Sequence, residues 1–191
     1  SHGAVDISNS QPGALRGPFV DLILGQYYEV EGGGLSISRP SDNSSNHIYV
    51  QLGNMKNNTG EVITLLGAKN VRIEGVLHGG SGCNIGLSII DSENIRVGET
   101  IYQSENCGSH ILIQNSWDVS IQANNLVNHS VVGVKIVGGG NHQIVITKLW
   151  GVQGMGGPPP AIGIELKNTP TQTPGVSDAG NRINIEDVAF H

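Results

Sequence analysis

From residue 61 the chain repeats itself. The stretches EVITLLGAKNVRIEGVLHGGSGCN (61–84), IGLSIIDSENIRVGETIYQSENCG (85–108) and SHILIQNSWDVSIQANNLVNHSVVG (109–133) align at a period of about 24–25 residues. A fourth unit begins VKIVGGGNHQIVITKLWG, a fifth is split between AIGIELKN (161–168) and NRINIEDVAF (181–190), and an earlier one shows in HIYVQLGN (47–54). Each unit holds two short runs of alternating β-branched residues separated by a turn. The first run gives Ile63/Leu65, Leu87/Ile89 and Ile111/Ile113. The second gives Val71/Ile73, Ile95/Val97, Val119/Ile121, Ile144/Ile146 and Ile183/Ile185. Alternation with a period of two marks half-buried strands, and no helical spacing competes with it. Short strands recurring at a fixed period predict an all-β chain, a single-stranded right-handed parallel β-helix of about five to six rungs of 24–25 residues. An antiparallel sandwich of hairpins is the alternative, and in-register self-similarity disfavours it.

Composition agrees with a coil of many turns. The chain has 191 residues and 28 glycines, with 14% charged and 4% aromatic residues. The turns read GAKN, DSEN, NSWD and GGGN, rich in the residues that tolerate positive φ. No apolar run is long enough to span a bilayer as a helix, so no membrane insertion is expected. A net charge of −6 argues against nucleic acid as a partner. Residues 1–45 are expected to form an N-terminal segment, either a first coil or a cap. Residues 46–191 form the β-helix, with insertions at 151–160 and 169–181. The chain closes inside a strand, at Phe190-His191. An open solenoid end predicts a longer protein or a covering subunit.

Several columns follow if Asn70, Asn94, Asp118, Gln143 and Arg182 are equivalent. Eight residues on, His78, Tyr102, Leu126 and Phe190 are expected to stack inward. Two residues on, Arg72, Arg96, Ser120 and Asn184 face out. Four residues on, Glu74, Gly98, Gln122, Thr147 and Glu186 face out, with Glu99 one place later. Leu66, Ile90 and Leu112 are expected to form an outward apolar row that something covers. Cys83 and Cys107 lie 24 residues apart, one above the other. That placement suits either a disulfide or two free thiols. Neither has a metal-like spacing to His, and neither metal nor cofactor is expected.

Chemistry is best sought on the outer face of the second run, where side chains form parallel columns. Glu74 and Glu99 are the candidate acid and base for glycoside cleavage. Arg72, Arg96, Gln122 and Trp150 are the candidate glycan-binding residues, an Arg matching a sugar acid and Trp150 offering a stacking face. The competing reading is a solvated ladder of alternating charges, with Trp150 packed beneath the 151–160 insertion.

Units such as NVRIEG, NIRVGE and DVSIQA resemble the repeats of right-handed β-helix proteins of the pectin-lyase-like kind, including bacteriophage tailspikes and depolymerases. The resemblance covers about 61–190 and is architectural. It implies a tailspike or tail-fibre segment of a virion, homotrimeric, of the kind that binds, and commonly cleaves, a bacterial surface polysaccharide. A secreted polysaccharide lyase or glycoside hydrolase, extracellular, is the second reading, and a non-catalytic structural solenoid is the third. The Asn-Thr-Asp and Asp-Asp pairs of polygalacturonases and the aspartate cluster of pectate lyases are missing from this sequence, so no catalytic residue carries over.

Overall fold

The computed structural model describes residues 5–8, 19–24, 29–31, 34–38, 47–79, 83–98, 101–105, 108–129, 131–151, 162–167 and 180–190. They form a parallel β-helix, with no α-helix among the described residues. The strands are β1 (Val5–Ser8), β2 (Phe19–Leu24), β3 (Glu29–Glu31), β4 (Leu35–Ser38), β5 (His47–Leu66), β6 (Lys69–Gly79), β7 (Cys83–Ile90) and β8 (Glu93–Val97). They continue as β9 (Ile101–Glu105), β10 (Ser109–His129), β11 (Val132–Gly140), β12 (Gln143–Gly151), β13 (Ile162–Lys167) and β14 (Arg182–Phe190). Every pairing among them is parallel.

Three ladders run the length of the stack. The first passes through Val5, Leu35, Ile63, Leu87, Ile111, Val134 and Ile164. The second passes through Leu22, Val50, Ile73, Val97, Ile121, Ile144 and Ile183. The third joins β3, β5, β6, β9, β10, β12 and β14. The long strands β5 and β10 each bend through all three ladders. The rung count therefore differs from the expected five to six, because stacking continues upstream through β4 and β1.

Alternation explains the core. Leu35/Ile37, Ile63/Leu65, Leu87/Ile89 and Ile111/Ile113 point inward from the first ladder, and Val71/Ile73, Ile95/Val97 and Ile144/Ile146 from the second. Each such side chain is almost wholly buried, and burial of one Ile or Leu contributes roughly 1.5–3 kcal/mol.

The turn between the first two ladders is a second structural column. Gly67, Asp91, Asn115 and Gly138 open it with φ of 60, 50, 47 and 67°. Asn70, Asn94, Asp118 and Asn141 close it at φ of 54, 53, 54 and 58°. Between them the serine hydroxyls act as spacers. Ala68 N donates to Ser92 Oγ at 3.0 Å, and Ser92 N donates to Ser116 Oγ at 3.1 Å, each across 24 residues. Ser92 is buried, so Ser92→Ala strands the Ala68 N–H without its acceptor. It is expected to lower unfolding free energy by about 1–2 kcal/mol in urea titration. A variant as stable as the parent would show that this hydroxyl is dispensable.

Along this turn column the spacing changes after Asp118. Asn94 Nδ2 donates to Asn70 Oδ1 across 24 residues, but the matching bond from Asn141 to Asp118 spans 23. Asn141, not Gln143, is therefore the residue equivalent to Asn70. The short amide reaches the Asp118 carboxylate from a positive-φ position, which a Gln cannot do as readily. Gln143 pairs with Ser120 and Arg182 with Gln143, two places later than the sequence reading placed them. His142 consequently takes the inward place held by Val71, Ile95 and Val119. It is 1% exposed.

Three expected columns are corrected by this register. Asn184 does not follow Ser120; it pairs with Val145, which pairs with Gln122. Thr147 and Glu186 thus fall outside the Glu74–Gln122 column. His78 pairs with Gln103, Tyr102 with Leu77, Leu126 with Ser104 and Leu149, and Phe190 with Gly151. Irregular pairing at the third ladder breaks the uniform offset that the column assumed. The outward apolar row also divides. Leu66 pairs with Ile90 and Ile90 with Gln114, while Leu112 pairs with Ser88 and Lys135. Leu112 and Ile90 are two residues apart on neighbouring strands, so they occupy different columns.

Candidate functional site

The second ladder's outward face positions most of the polar side chains considered above. One column reads Tyr49, Arg72, Arg96, Ser120, Gln143 and Arg182. The next outward column carries Gln51 and Glu74, and further on Gln122, Val145 and Asn184. Gly98 separates Glu74 from Gln122. At φ 130° it brings backbone so close that an added Cβ would lie 2.8 Å from both Gln122 Cβ and Gln122 O.

The candidate residues divide by what they already bind. Glu74 accepts a hydrogen bond from the Tyr49 hydroxyl at 2.7 Å, and the Arg72 guanidinium donates to its other oxygen. Arg72 and Glu74 are thus a pair on the surface. Gln122 is exposed, next to the Arg96 column. Trp150 lies on the third ladder, paired with Val127 and Ala189, so it does not join Arg96 and Gln122 on the second. Its Nε1 donates to Asp187 Oδ2 at 3.2 Å, and Lys148 Nζ sits 4.0 Å from its ring centroid. One face of the indole is therefore occupied by an ammonium group. Glu99 and Cys107 lie outside the described residues, as do residues 152–160 and 169–179 of the insertions expected at 151–160 and 169–181. Among the described residues, no group of three or more His, Cys, Asp or Glu could hold a metal ion.

Lower on the same face is an open cleft of about 450 Å³. Arg96, Ser120, Gln143 and Arg182 line it from one column, and Asn94, Asp118, Asn141 and Gly180 from the turn beside it. Arg96 and Arg182 are three ladder steps apart, about 14 Å along the stack. Their charges are uncommitted. Lys69 pairs with Glu93 at 2.9 Å, and Lys135 and Lys167 pair with Glu165 at 3.3 and 2.6 Å. Arg96 and Arg182 form no such pair among the described residues. The cleft thus offers two free guanidiniums spaced by amide and hydroxyl groups and the Asp118 carboxylate.

His142 is buried at the edge of this cleft, in the inward column. Neither ring nitrogen has a hydrogen-bond partner among the described residues. Burial pushes its pKa down to about 4 from the usual 6.5, and the Asp118 carboxylate offsets part of that shift. The ring is neutral at physiological pH, part of the wall and not a charge in the cleft.

Sequence reasoning found Arg96 and named Asp118 and Gln143 only as turn markers. Arg182 was missed as a cleft residue, because aligning Gln143 and Arg182 with Asn70 put both two places out of their column. The signal that finds it is GGGN at 138–141, where Asn141 closes a positive-φ turn as Asn70 and Asn94 do.

The chain matches no family model, no curated protein and no solved structure.

Proposed function

We propose that this chain is a glycan-binding β-helix segment, of the kind a bacteriophage tailspike uses to hold a host surface polysaccharide. One observation carries the reading: the cleft on the second ladder with two unpaired arginines and intervening Asn, Ser and Gln groups. A straight parallel sheet repeats its side chains every 4.7–4.9 Å. An extended polymer of hydroxyl-rich units fits such a row better than a compact ligand does. The two guanidiniums favour a glycan with carboxylate, phosphate or sulfate substituents. In this reading the segment works outside the cell or on the virion tail, within a homotrimer.

The proposal stops at binding. Glu74 is engaged by Tyr49 and Arg72 and is not among the residues that line the cleft.

Calorimetric titration against purified capsular polysaccharides and lipopolysaccharide O-chains, acidic and neutral, tests it. At least one acidic polymer is expected to bind. Arg96→Ala and Arg182→Ala are each expected to weaken that binding about tenfold, the loss of one charge-assisted hydrogen-bond pair. Binding to none of the polymers, or full affinity in both variants, would overturn the reading.

A further inference from the structure

Side-chain amides form a hydrogen-bonded column along the turn between the first and second ladders, and Asp118 interrupts it. In the intact steps the lower residue donates upward, Asn94 Nδ2 to Asn70 Oδ1 at 2.7 Å and Asn141 Nδ2 to Asp118 Oδ1. A carboxylate accepts and has no N–H to give. Asp118 therefore receives from Asn141 but passes nothing to Asn94. Asn94 Oδ1 and Asp118 Oδ2 are left as adjacent acceptors, with no further hydrogen bond among the described residues. One step lower the turn residue is Gly180, which has no side chain to donate to Asn141 Oδ1. Asn94, Asp118 and Asn141 all line the cleft.

The backbone does not require an acid here. Asp118 has φ 54°, and Asn holds the same conformation at 70, 94 and 141. An Asn at 118 would complete the column internally. The acid instead leaves two neighbouring acceptors facing the cleft; Asp118 is exposed, so water hydrates them in the free protein, and a ligand that displaces this water must bring donors of its own. Adjacent sugar hydroxyls supply two O–H donors at once; a carboxylate or phosphate supplies none and would be repelled. Arg96 and Arg182, at either end, remain for acidic substituents or ring oxygens.

We infer that Asp118 is the specificity-determining residue of the cleft, where it and Asn94 accept hydrogen bonds from the vicinal hydroxyls of one sugar unit. The inference rests on the glycan-binding reading above and names which face of the sugar is recognised.

Two measurements on Asp118→Asn test it. Without ligand, the variant is expected to melt about 2–4 °C higher than the parent, because the amide column becomes continuous. In titration with the polysaccharide that the parent binds, the variant is expected to lose affinity about tenfold or more. Asp118→Ala is expected to lose the affinity without the gain in melting temperature. Periodate-oxidised and reduced polymer, with its vicinal diols cleaved, is expected to bind the parent as weakly as intact polymer binds Asp118→Asn. If the parent binds no polymer, the glycan reading fails and takes this inference with it. If the parent binds but Asp118→Asn binds equally well, the assignment to Asp118 alone is wrong. Parent binding abolished by a chelator would also overturn it, since the free oxygens would then hold a cation.

Discussion

Gly139→Ala is expected to destabilise the protein by about 3–5 kcal/mol, enough to lower its melting temperature by roughly 10 °C or more. Gly139 lies under Ser116 in the turn column, at φ 80°. An added Cβ would sit 1.9 Å from Ser116 O, 2.7 Å from Ser116 N and 2.8 Å from Ser116 C. These are backbone atoms, so no side-chain rotation relieves the clash. The rung must shift, and the Ser116 hydroxyl it carries holds Ser92 N at 3.1 Å. The neighbouring Gly138→Asn is the internal comparison. Asp91 and Asn115 already hold the corresponding positive φ, at 50 and 47°, so that change is expected to cost under about 1 kcal/mol. Thermal melts of the two variants side by side decide the matter. Equal melting temperatures would show that this turn relaxes freely.

His142→Val is expected to raise stability at neutral pH by about 1–3 kcal/mol and to flatten the acid limb of the stability curve. Val is the residue that Val71 and Val119 place in the same inward column. The substitution removes two buried ring nitrogens that have no partner. The pH dependence follows from the pKa of about 4 in the folded protein against 6.5 in the unfolded chain. Between these values the unfolded chain binds more protons than the folded one. The stability associated with a neutral His142 is therefore fully present above about pH 6.5. It falls as the pH drops toward 4, by up to about 3 kcal/mol. Urea unfolding at pH 7 and pH 4.5 measures the difference. The parent is expected to lose more stability between the two than the Val variant. Equal losses in both would assign the acid sensitivity to other groups.

The sequence carried the architecture because period-two alternation and the 24-residue repeat are both direct consequences of the coil. Val71, Ile95 and Val119 could be aligned by eye, and they do stack. The site was less legible, for a reason specific to this register. Asn141 follows Asp118 by 23 residues where the sequence alignment placed the equivalent residue, Gln143, 25 residues on, and that difference of two is the strand's own period. Ile144 and Ile146 remain inward in either alignment, so the hydrophobic pattern does not register the slip. Only the turn chemistry distinguishes Asn141 from Gln143, and only that distinction places His142 in the core and Arg182 beneath Gln143. Arg96 was recoverable because Arg72 and Ser120, its neighbours in the column, lie 24 residues to either side of it. Trp150 was grouped with the second-ladder residues because its type suits sugar stacking; the bend after β12's first half carries it onto another face.

The strict spacing of the upper rungs has an evolutionary corollary. Ile63, Leu87 and Ile111 are stacked directly, with the same inward and turn positions in each coil. Duplication or excision of one such coil would join surfaces that already match, so the shaft can lengthen or shorten without redesign of its neighbours. Among the described residues, the coil bearing Asn141 and His142 departs from that 24-residue spacing. It acts as a phase marker, keeping Gly180 and Arg182 within the cleft however many uniform coils lie above.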